Sequence, residues 1–476
     1  MTCLFGLNMK IDTKGRFSFA GGIHPPERKD LTSESEIQPG PAVKEVAVML
    51  SQHLGAVCQP LVRKGYMVLA GQKIGDSDAY VCAPVHSPIH GKVKEIALRS
   101  HPVLGRSPAI IIEAYRYNPT KHPRFELMED FDENKYSSEQ ICDAVRKAGI
   151  VGMGGAGFPT RVKIEPDPRM PKEVMIINGC ECEPYITCDY RIMLERTNQI
   201  IAGLKLARRA ARCSQVIIGI EDNKPLAIEA MGAALENFAT RALRSAPQSR
   251  DSKNIKIVPV KTKYPQGGER QLIQAILKKN VPTGGIPPAI GVVVLNVATV
   301  AAIAEAVIGG APLTHRVVTV TGEAIANPGN YNVAIGTSVG QLIEFCGGVA
   351  KKSAKVIVGG PMMGIAIADL ETPIMKTTCA VTVLTGEEIG KAKFERRQTP
   401  CIRCGRCLQV CPENLNPTKI AHAVKNNLLD VAESYYISAC IECGCCSYVC
   451  PANIEVTGYI KTGKTLLARQ KQKMPL

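Results

Sequence analysis

Eight cysteines near the end of the chain have the types and spacing that could do chemistry. They stand as Cys401-x2-Cys404-x2-Cys407-x3-Cys411-Pro412 and Cys440-x2-Cys443-x2-Cys446-x3-Cys450-Pro451. A tight C-x2-C-x2-C loop aims three thiolates at one centre, and a fourth completes the set that a cubane iron–sulfur cluster needs. The proline after each fourth cysteine turns the chain away and removes a backbone donor. A zinc site or a disulfide knot is the alternative. Zinc sites more commonly show two C-x2-C pairs, without the third cysteine and the x3-Cys-Pro ending.

The doubled run resembles the two-cluster bacterial ferredoxins. What that resemblance implies is crossed ligation, in which the fourth cysteine of each run serves the other cluster. One [4Fe–4S] cluster then takes Cys401, Cys404, Cys407 and Cys450; the second takes Cys440, Cys443, Cys446 and Cys411. Cys445, lodged between two ligands, reads as a bystander thiol. Such a module needs something upstream to charge it.

The best upstream feature is Gly152-Met153-Gly154-Gly155-Ala156-Gly157-Phe158-Pro159-Thr160, with Lys163 beyond. Closely spaced glycines let backbone N–H groups approach an anion, and a lysine can neutralise a phosphate. Glycine loops are also plain turns, so the surroundings decide. Strands are expected at Val174–Asn178, Val216–Ile220, Ile255–Val260 and Val292–Asn296. Helices are expected between them: Asp189–Arg212, Pro225–Phe238, one from Glu269 to Lys279, and one ending at Ile308. This alternation implies a parallel sheet covered by helices, with ligands at the carboxyl ends of the strands. Polar residues fall there: Asn178, Glu181 and Glu183; Gln266 and Glu269; Asn296 and Thr299.

The totals bound the class. At 476 residues the chain exceeds one core, so three or more domains are expected. Hydrophobic content of 45% with 21% charged residues fits a soluble globular protein. Clusters and free thiols point to a reducing cytosolic setting, and the N-terminus has no long apolar stretch of the secretory kind. The apolar span 289–311 holds Asn296, Thr299 and Glu305 and begins with a β-branched run. It reads as a buried strand entering a helix rather than a membrane span. The net charge of +15 suits acidic partners such as a dinucleotide, an acidic electron carrier or an anionic membrane face. With 5% aromatic residues and no accompanying motif, nucleic acid is discounted.

The rest divides by pattern. Residues 1–35 are irregular, with Gly21-Gly22-Ile23-His24-Pro25-Pro26 against regular structure. Residues 36–115 carry short β runs at Tyr66–Leu69, Tyr80–Cys82, Val93–Leu98 and Ile110–Glu113. They resemble the barrel-sandwich domains that bear biotin or lipoate, but the tip near Asp78-Ala79-Tyr80 has no lysine to modify. Residues 116–136 read as a linker, and Ser137-x-x-Gln140 as a capping box opening the α/β domain over 137–311. Residues 312–385 return to β character and resemble the SLBB β-grasp domain. A linker begins at 386, the cluster domain ends near 460, and a basic stretch over 461–476 reads as a solvated helix end or frayed tail.

Several stretches together resemble a known family. GGAGFPT with Lys163, then Asn178-Gly179-Cys180-Glu181-Cys182-Glu183-Pro184, Tyr264-Pro265-Gln266-Gly267-Gly268-Glu269 and Asn296-Val297-Ala298-Thr299 look like the NADH-oxidising, FMN-carrying subunit of respiratory complex I. The whole order, from GGIHPP to two cluster motifs, is similar to the RnfC family of the Rnf-type ion-translocating oxidoreductases. The fold implied is multidomain α/β and β. A Rossmann-like FMN/NADH domain is flanked by a barrel-sandwich hybrid and an SLBB domain, with a C-terminal ferredoxin-like helical domain holding two [4Fe–4S] clusters.

By the same resemblance FMN lies against Gly154, Gly155, Ala156 and Gly157, with Lys163 near its phosphate or ribityl chain. Asn178, Glu181, Asn296 and Thr299 complete that site, and Phe158, Glu183 and Glu269 face the nicotinamide. The sequence departs from complex I at Cys180 and Gly268, where acids are expected. Tyr264 and Glu269 are ligands or merely packing and capping residues. The family implies a peripheral subunit on the cytoplasmic face of the bacterial inner membrane. Its partners are NADH, an iron–sulfur subunit of the same complex and, indirectly, a ferredoxin-type carrier; other subunits move Na⁺ or H⁺. Two other readings use the same parts. One is a soluble flavin/iron–sulfur reductase like the cobalamin reductases, and the other a relay subunit without its own NADH site.

Overall fold

The computed structural model describes residues 15–115, 131–245, 254–389 and 397–473. Most of the expected linker 116–136 and the middle of the one beginning at 386 lie outside them.

The central unit is a parallel sheet of β1 (Val174–Gly179), β2 (Gln215–Glu221), β3 (Ile255–Val260) and β4 (Val292–Asn296), in the order β3-β2-β1-β4. Near-continuous Ile and Val runs fit strands buried on both faces: Ile176, Ile177, Val216, Ile218 and Val294 are all under 5% exposed. The covering helices are α1 (Ser138–Lys147), α2 (Thr160–Ile164), α3 (Cys188–Glu195), α4 (Thr197–Ala211), α5 (Pro225–Ser245), α6 (Glu269–Leu277) and α7 (Val297–Gly309). The capping box at Ser137 and Gln140 opens α1 as expected. A Cβ on Gly203 would stand 1.7 Å from the Val300 carbonyl oxygen, so glycine there lets α4 lie directly on α7.

The expected helix over 189–212 is two helices. Arg196 leaves helical geometry (φ −122°, ψ 31°), and the Thr197 hydroxyl donates to the Met193 carbonyl at 2.9 Å. Thr197 thus competes for the carbonyls of the preceding turn and bends the chain. The apolar span 289–311 is β4 running into α7, and no helix among the described residues is long and apolar enough to cross a membrane.

The barrel sandwich pairs Glu45–Met49, Gly105–Ala114, Gly91–His101 and Met67–Val68 in one sheet, and Gln59–Pro60, Lys73–Asp76 and Val85–His86 in another. Tyr80–Cys82 is not a strand. The Tyr80 hydroxyl instead reaches Glu165 at 2.9 Å, with Arg161 over its ring, so the tip docks on the α/β unit. In the SLBB unit a central strand, His315–Thr321, runs antiparallel to Gly329–Ala334 and parallel to Ala380–Thr385. Ile37–Pro39, from the N-terminal side of the barrel, adds itself parallel to Gly329–Ala334 as an edge strand.

The two cysteine runs fold alike. Arg403 and Glu442 occupy left-handed conformations, as do Gly405 and Gly444, and Asn414 and Asn453. Cys407 Sγ meets Thr418 Oγ1 at 2.8 Å, and Cys446 Sγ meets Thr457 Oγ1 at 3.3 Å. Each pair repeats at the Cys401-to-Cys440 interval, so the module is one unit built twice. The tail takes the helix-end form of the two expected, but it is seated on the module as well as solvated. It is the end of an 18-residue helix, Val456–Lys473, that buries Ile460 and Leu467, with Lys464 Nζ donating to the Cys440 carbonyl and paired with Glu442 at 2.8 Å.

Candidate functional site

In the order β3-β2-β1-β4 the direction of winding reverses between β1 and β4, and open α/β sheets bind ligands at such a switch point. Asn178 and Asn296, at the carboxyl ends of these two strands, are register partners. Asn178 Nδ2 donates to the Gly267 carbonyl at 2.8 Å. Asn296 caps α7 through Oδ1, which accepts from Ala298 N–H at 2.9 Å, and its Nδ2 donates to Asp189 Oδ2 at 2.6 Å.

The glycine loop lies over this point. Thr299 Oγ1 accepts the Met153 N–H at 3.0 Å, and a Cβ on Gly154 would press the Asn296 amide at 2.9 Å. Arg316, 3% exposed, holds Met153 from below through its sulfur. Met153 and Gly157 are buried, whereas Gly154, Gly155 and Ala156 are exposed. Gly155 has nothing within 4 Å of where a Cβ would stand. The loop is therefore pinned at both ends around an open crest whose one side chain is the Ala156 methyl, which suits close approach by a flat, phosphate-bearing group. Buried groups beside it have spare hydrogen-bonding capacity: Gln266, 0% exposed, has neither amide atom paired, and Thr160 Oγ1 has no partner.

The expected lysine and acids divide. Lys163 Nζ pairs with Glu269 Oε1 at 2.9 Å and donates to the Val294 carbonyl, which brings both residues to β4. Phe158 is half-buried in the loop. Glu181 lies below the crest with a left-handed backbone (φ 50°), its Oε1 accepting Asp189 N–H at 2.6 Å at the start of α3. Glu183 turns to the SLBB unit, where Oε1 accepts the N–H groups of Met362 at 2.6 Å and Met363 at 3.1 Å.

Two buried lysines that the motifs do not announce hold this acidic loop. Lys29 Nζ donates to the carbonyls of Glu181 (2.8 Å), Glu183 (3.1 Å) and Ile186. Lys224 Nζ donates to the Cys180 carbonyl and to Glu221 Oε2, both at 2.7 Å. A lysine among polar neighbours reads as surface charge; the Pro-Pro-Glu-Arg-Lys context offers no signal of burial.

Burial pushes the Glu181 carboxyl up to about 7, with Lys29 pulling the other way and Asp189 adding to the rise. Its side chain is 3% exposed. An acid with a raised folded pKa stabilises the fold while protonated; that contribution is complete below its ordinary 4.5 and disappears as pH rises through about 7. Glu181→Gln should therefore flatten the pH dependence of unfolding between about pH 5 and about pH 8, by about 3 kcal/mol. Denaturation profiles at several pH values check this; a slope equal to that of the wild type would refute it.

In the cluster module Cys411, from the first run, lines one cavity with Cys440, Cys443 and Cys446 of the second. Cys445 also lines it, and the rest of the wall is mainly apolar, with Leu415, Ile420, Ile441 and Ile460, bordered by Glu413, Glu442 and Thr457. Backbone N–H groups of Leu415 and Glu442 point at Cys411 Sγ (3.4 Å) and Cys440 Sγ (3.3 Å), as amides do toward thiolate ligands. Cys411, Cys440, Cys443 and Cys446, the motif cysteines around this space, fit a cluster, with Cys445 beside them on the wall. In the first run Cys401 and Cys404 are exposed, and Thr399 N–H on the Ala452 carbonyl draws the run toward Cys450. Cys445 is 0% exposed and packs with Tyr264 and Ile23.

A single turn joins the two sites. Tyr264 donates its hydroxyl to the Cys443 carbonyl at 2.8 Å, and three residues on Gly267 contacts both Asn178 and Cys182 Sγ. Tyr264 thereby packs against the second cysteine run, beside Cys443 and Cys445, and Glu269 opens α6.

Comparison with known proteins agrees with this arrangement. Residues 17–116 match the RnfC barrel sandwich hybrid domain, 145–305 the Nuo51 FMN-binding domain, 317–366 the SLBB domain and 397–454 the 4Fe-4S dicluster domain. The chain is 40% identical to the C subunit of the proton-translocating ferredoxin:NAD(+) oxidoreductase complex of Clostridium ljungdahlii, over 88% of this chain and 87% of that one. It is 40% identical to the Na(+)-translocating counterpart of Acetobacterium woodii, over 88% and 89%. It is 39% identical to the C subunit of the ion-translocating oxidoreductase complex of Rhodobacter capsulatus, over 85% and 74%. An FMN domain and a two-cluster domain, joined through the Tyr264 turn and set among these matches, make the chain a member of the RnfC family, the C subunits of Rnf-type ion-translocating oxidoreductase complexes.

Proposed function

We propose that this chain is the peripheral subunit through which a membrane-bound complex exchanges electrons with NAD(H), coupling that exchange to ion movement elsewhere. The observation that carries the reading is the Tyr264–Gly267 turn, which ties the switch-point cradle to the cavity of Cys411, Cys440, Cys443 and Cys446. When bound, FMN would accept one hydride, an electron pair, and release the electrons singly, which iron–sulfur clusters require. The chain's own residues do the rest. Gly154, Gly155, Ala156 and Gly157 give backbone access, Lys163 supplies a cation, and Asn178, Glu181, Asn296 and Thr299 fix the cradle walls. Phe158, Glu183 and Glu269 remain the proposed nicotinamide side. The apolar shell around Cys411 excludes water and sets the potential there.

Electrons leave through the set of Cys401, Cys404, Cys407 and Cys450. Cys401 and Cys404 reach the surface beside Ile402, which is 67% exposed, so an iron–sulfur subunit of the complex docks there. The complex holds this subunit at the cytoplasmic face of the bacterial inner membrane, and a ferredoxin-type carrier is reached indirectly. Relatives named for different ions align over the same share of this chain, which supports placing the choice of Na⁺ or H⁺ in other subunits. The relay reading has one observation in its favour: Glu183 is already occupied by Met362 and Met363.

The test is anaerobic mixing of FMN-loaded, cluster-reconstituted protein with NADH. Bleaching of flavin absorbance followed by cluster reduction is expected; reduction by dithionite alone would favour the relay reading. Gly155→Ala puts a Cβ on the open crest with no protein atom within 4 Å, so it should fold normally and weaken FMN binding about tenfold.

A further inference from the structure

The N-terminal GGIHPP stretch has no role in the reading so far, yet the chain over 15–39 is tied down along its length. Phe17 bridges Val260, at the end of β3. Gly22 N–H donates to the Val410 carbonyl at 2.8 Å. Ile23 and Tyr264 exchange both backbone hydrogen bonds, at 2.8 and 2.9 Å. Glu27 receives Tyr185 N–H on its carbonyl and Asn223 Nδ2 on its carboxylate, both at 2.8 Å. Lys29 holds the 181–186 loop, and Ile37–Pro39 ends the path as the SLBB edge strand.

The contacts of Gly21, Gly22 and Ile23 fall on both arms of one cavity. Val410 and Cys411 belong to the first cysteine run, whereas Tyr264 is bonded to the Cys443 carbonyl of the second. Gly21 and Gly22 have φ of +76° and +77°. A Cβ on Gly21 would stand 2.8 Å from the Cys411 carbonyl oxygen, and one on Gly22 2.6 Å from that of Tyr264. No side chain fits between this segment and the residues it touches, and left-handed geometry is costly for any residue but glycine.

We propose that residues Gly21 to Lys29 are a clamp that sets the spacing between the flavin loop and the inner cluster cavity. The clamp grips the cavity at its glycine end and the 181–186 loop at its lysine end. Gly21, Gly22, Ile23 and Lys29 are positioning residues for electron transfer from one site to the other. The proposal rests on the functional reading above, but its test separates the two.

Gly21→Ala and Gly22→Ala are made in the full-length chain, reconstituted with iron, sulfide and FMN. Ile23→Ala serves as a milder change should either glycine variant fail to fold. Iron and FMN per chain are measured first, then NADH-driven flavin bleaching and cluster reduction are timed separately. Bleaching and the KM for NADH should stay within about twofold of wild type, while cluster reduction slows about tenfold, since small displacements between reacting centres cost rate steeply. Hydrogen exchange should speed at Ile23 and Tyr264, whose N–H groups make the clamp's own bonds, and this readout needs no NADH. Cluster reduction at the wild-type rate, or unchanged exchange at those amides, would overturn the clamp. Failure of NADH to bleach even the wild type would overturn the functional reading and leave the exchange result to judge the clamp.

Discussion

Cys411→Ser removes the same iron as Cys443→Ser, although Cys411 stands in the other run. The wild type should hold about eight irons per chain and either single variant about four. The decisive comparison is between pairs. Cys411→Ser with Cys443→Ser strikes one cluster twice and should keep about four irons, whereas Cys411→Ser with Cys404→Ser strikes both and should keep almost none. The expectation rests on Cys411 sharing a cavity with Cys440, Cys443 and Cys446. Iron analysis and low-temperature EPR of the reduced protein check it. If each run held its own cluster, the outcomes of the two pairs would exchange.

The variants should also differ in what survives. Losing the enclosed inner cluster breaks the path at the flavin side, so NADH would still bleach the flavin but leave the surviving outer cluster oxidised. Losing the outer one through Cys404→Ser would spare flavin-to-inner-cluster transfer and abolish delivery to the partner. Stopped-flow traces at the flavin and cluster absorbances separate these cases.

These expectations are legible because cluster ligation is written in local spacing. The cysteines, the glycine loop and the β/α alternation each depend on residues close in sequence, and each strand of the parallel sheet lies within two residues of its expected bounds. The residues that local spacing does not reveal act across the chain. Lys29 reaches the carbonyls of Glu181 and Glu183 from the far N-terminus, and nothing near it in sequence distinguishes it from a solvated lysine. The family resemblance proposes Glu183 for the nicotinamide side, and nothing near it in sequence announces that Oε1 also accepts backbone N–H groups in the SLBB turn, a contact that only the assembled fold creates. The basic tail is legible as a helix end but not as a packed one, for a related reason. Its charges dominate the composition, while Ile460 and Leu467, the residues that seat its helix, are too few to announce a buried face.

Lys29→Met is the change expected to cost the flavin site most. The methionine matches the lysine stem but donates nothing, leaving the carbonyls of Glu181, Glu183 and Ile186 without their shared ammonium. It also removes the cation 3.9 Å from the Glu181 carboxylate. Breaking one side of a buried charge pair costs about 3–5 kcal/mol, because the partner stays buried and uncompensated. Glu181 further sits in a left-handed conformation that costs about 1 kcal/mol and persists only while its surroundings enforce it. The loop should therefore loosen, with faster hydrogen exchange over 180–190 and a loss of FMN affinity.

The second variant identifies the cause. Adding Glu181→Gln removes the stranded carboxyl, so the double variant should be more stable than Lys29→Met alone at about pH 8, where that carboxyl must either stay charged without its counter-ion or take up a proton. Near about pH 5 the proton already neutralises Glu181, and the two should converge. Equal stabilities at both pH values would mean that Lys29 acts through the carbonyls alone, as a strut rather than as a counter-charge.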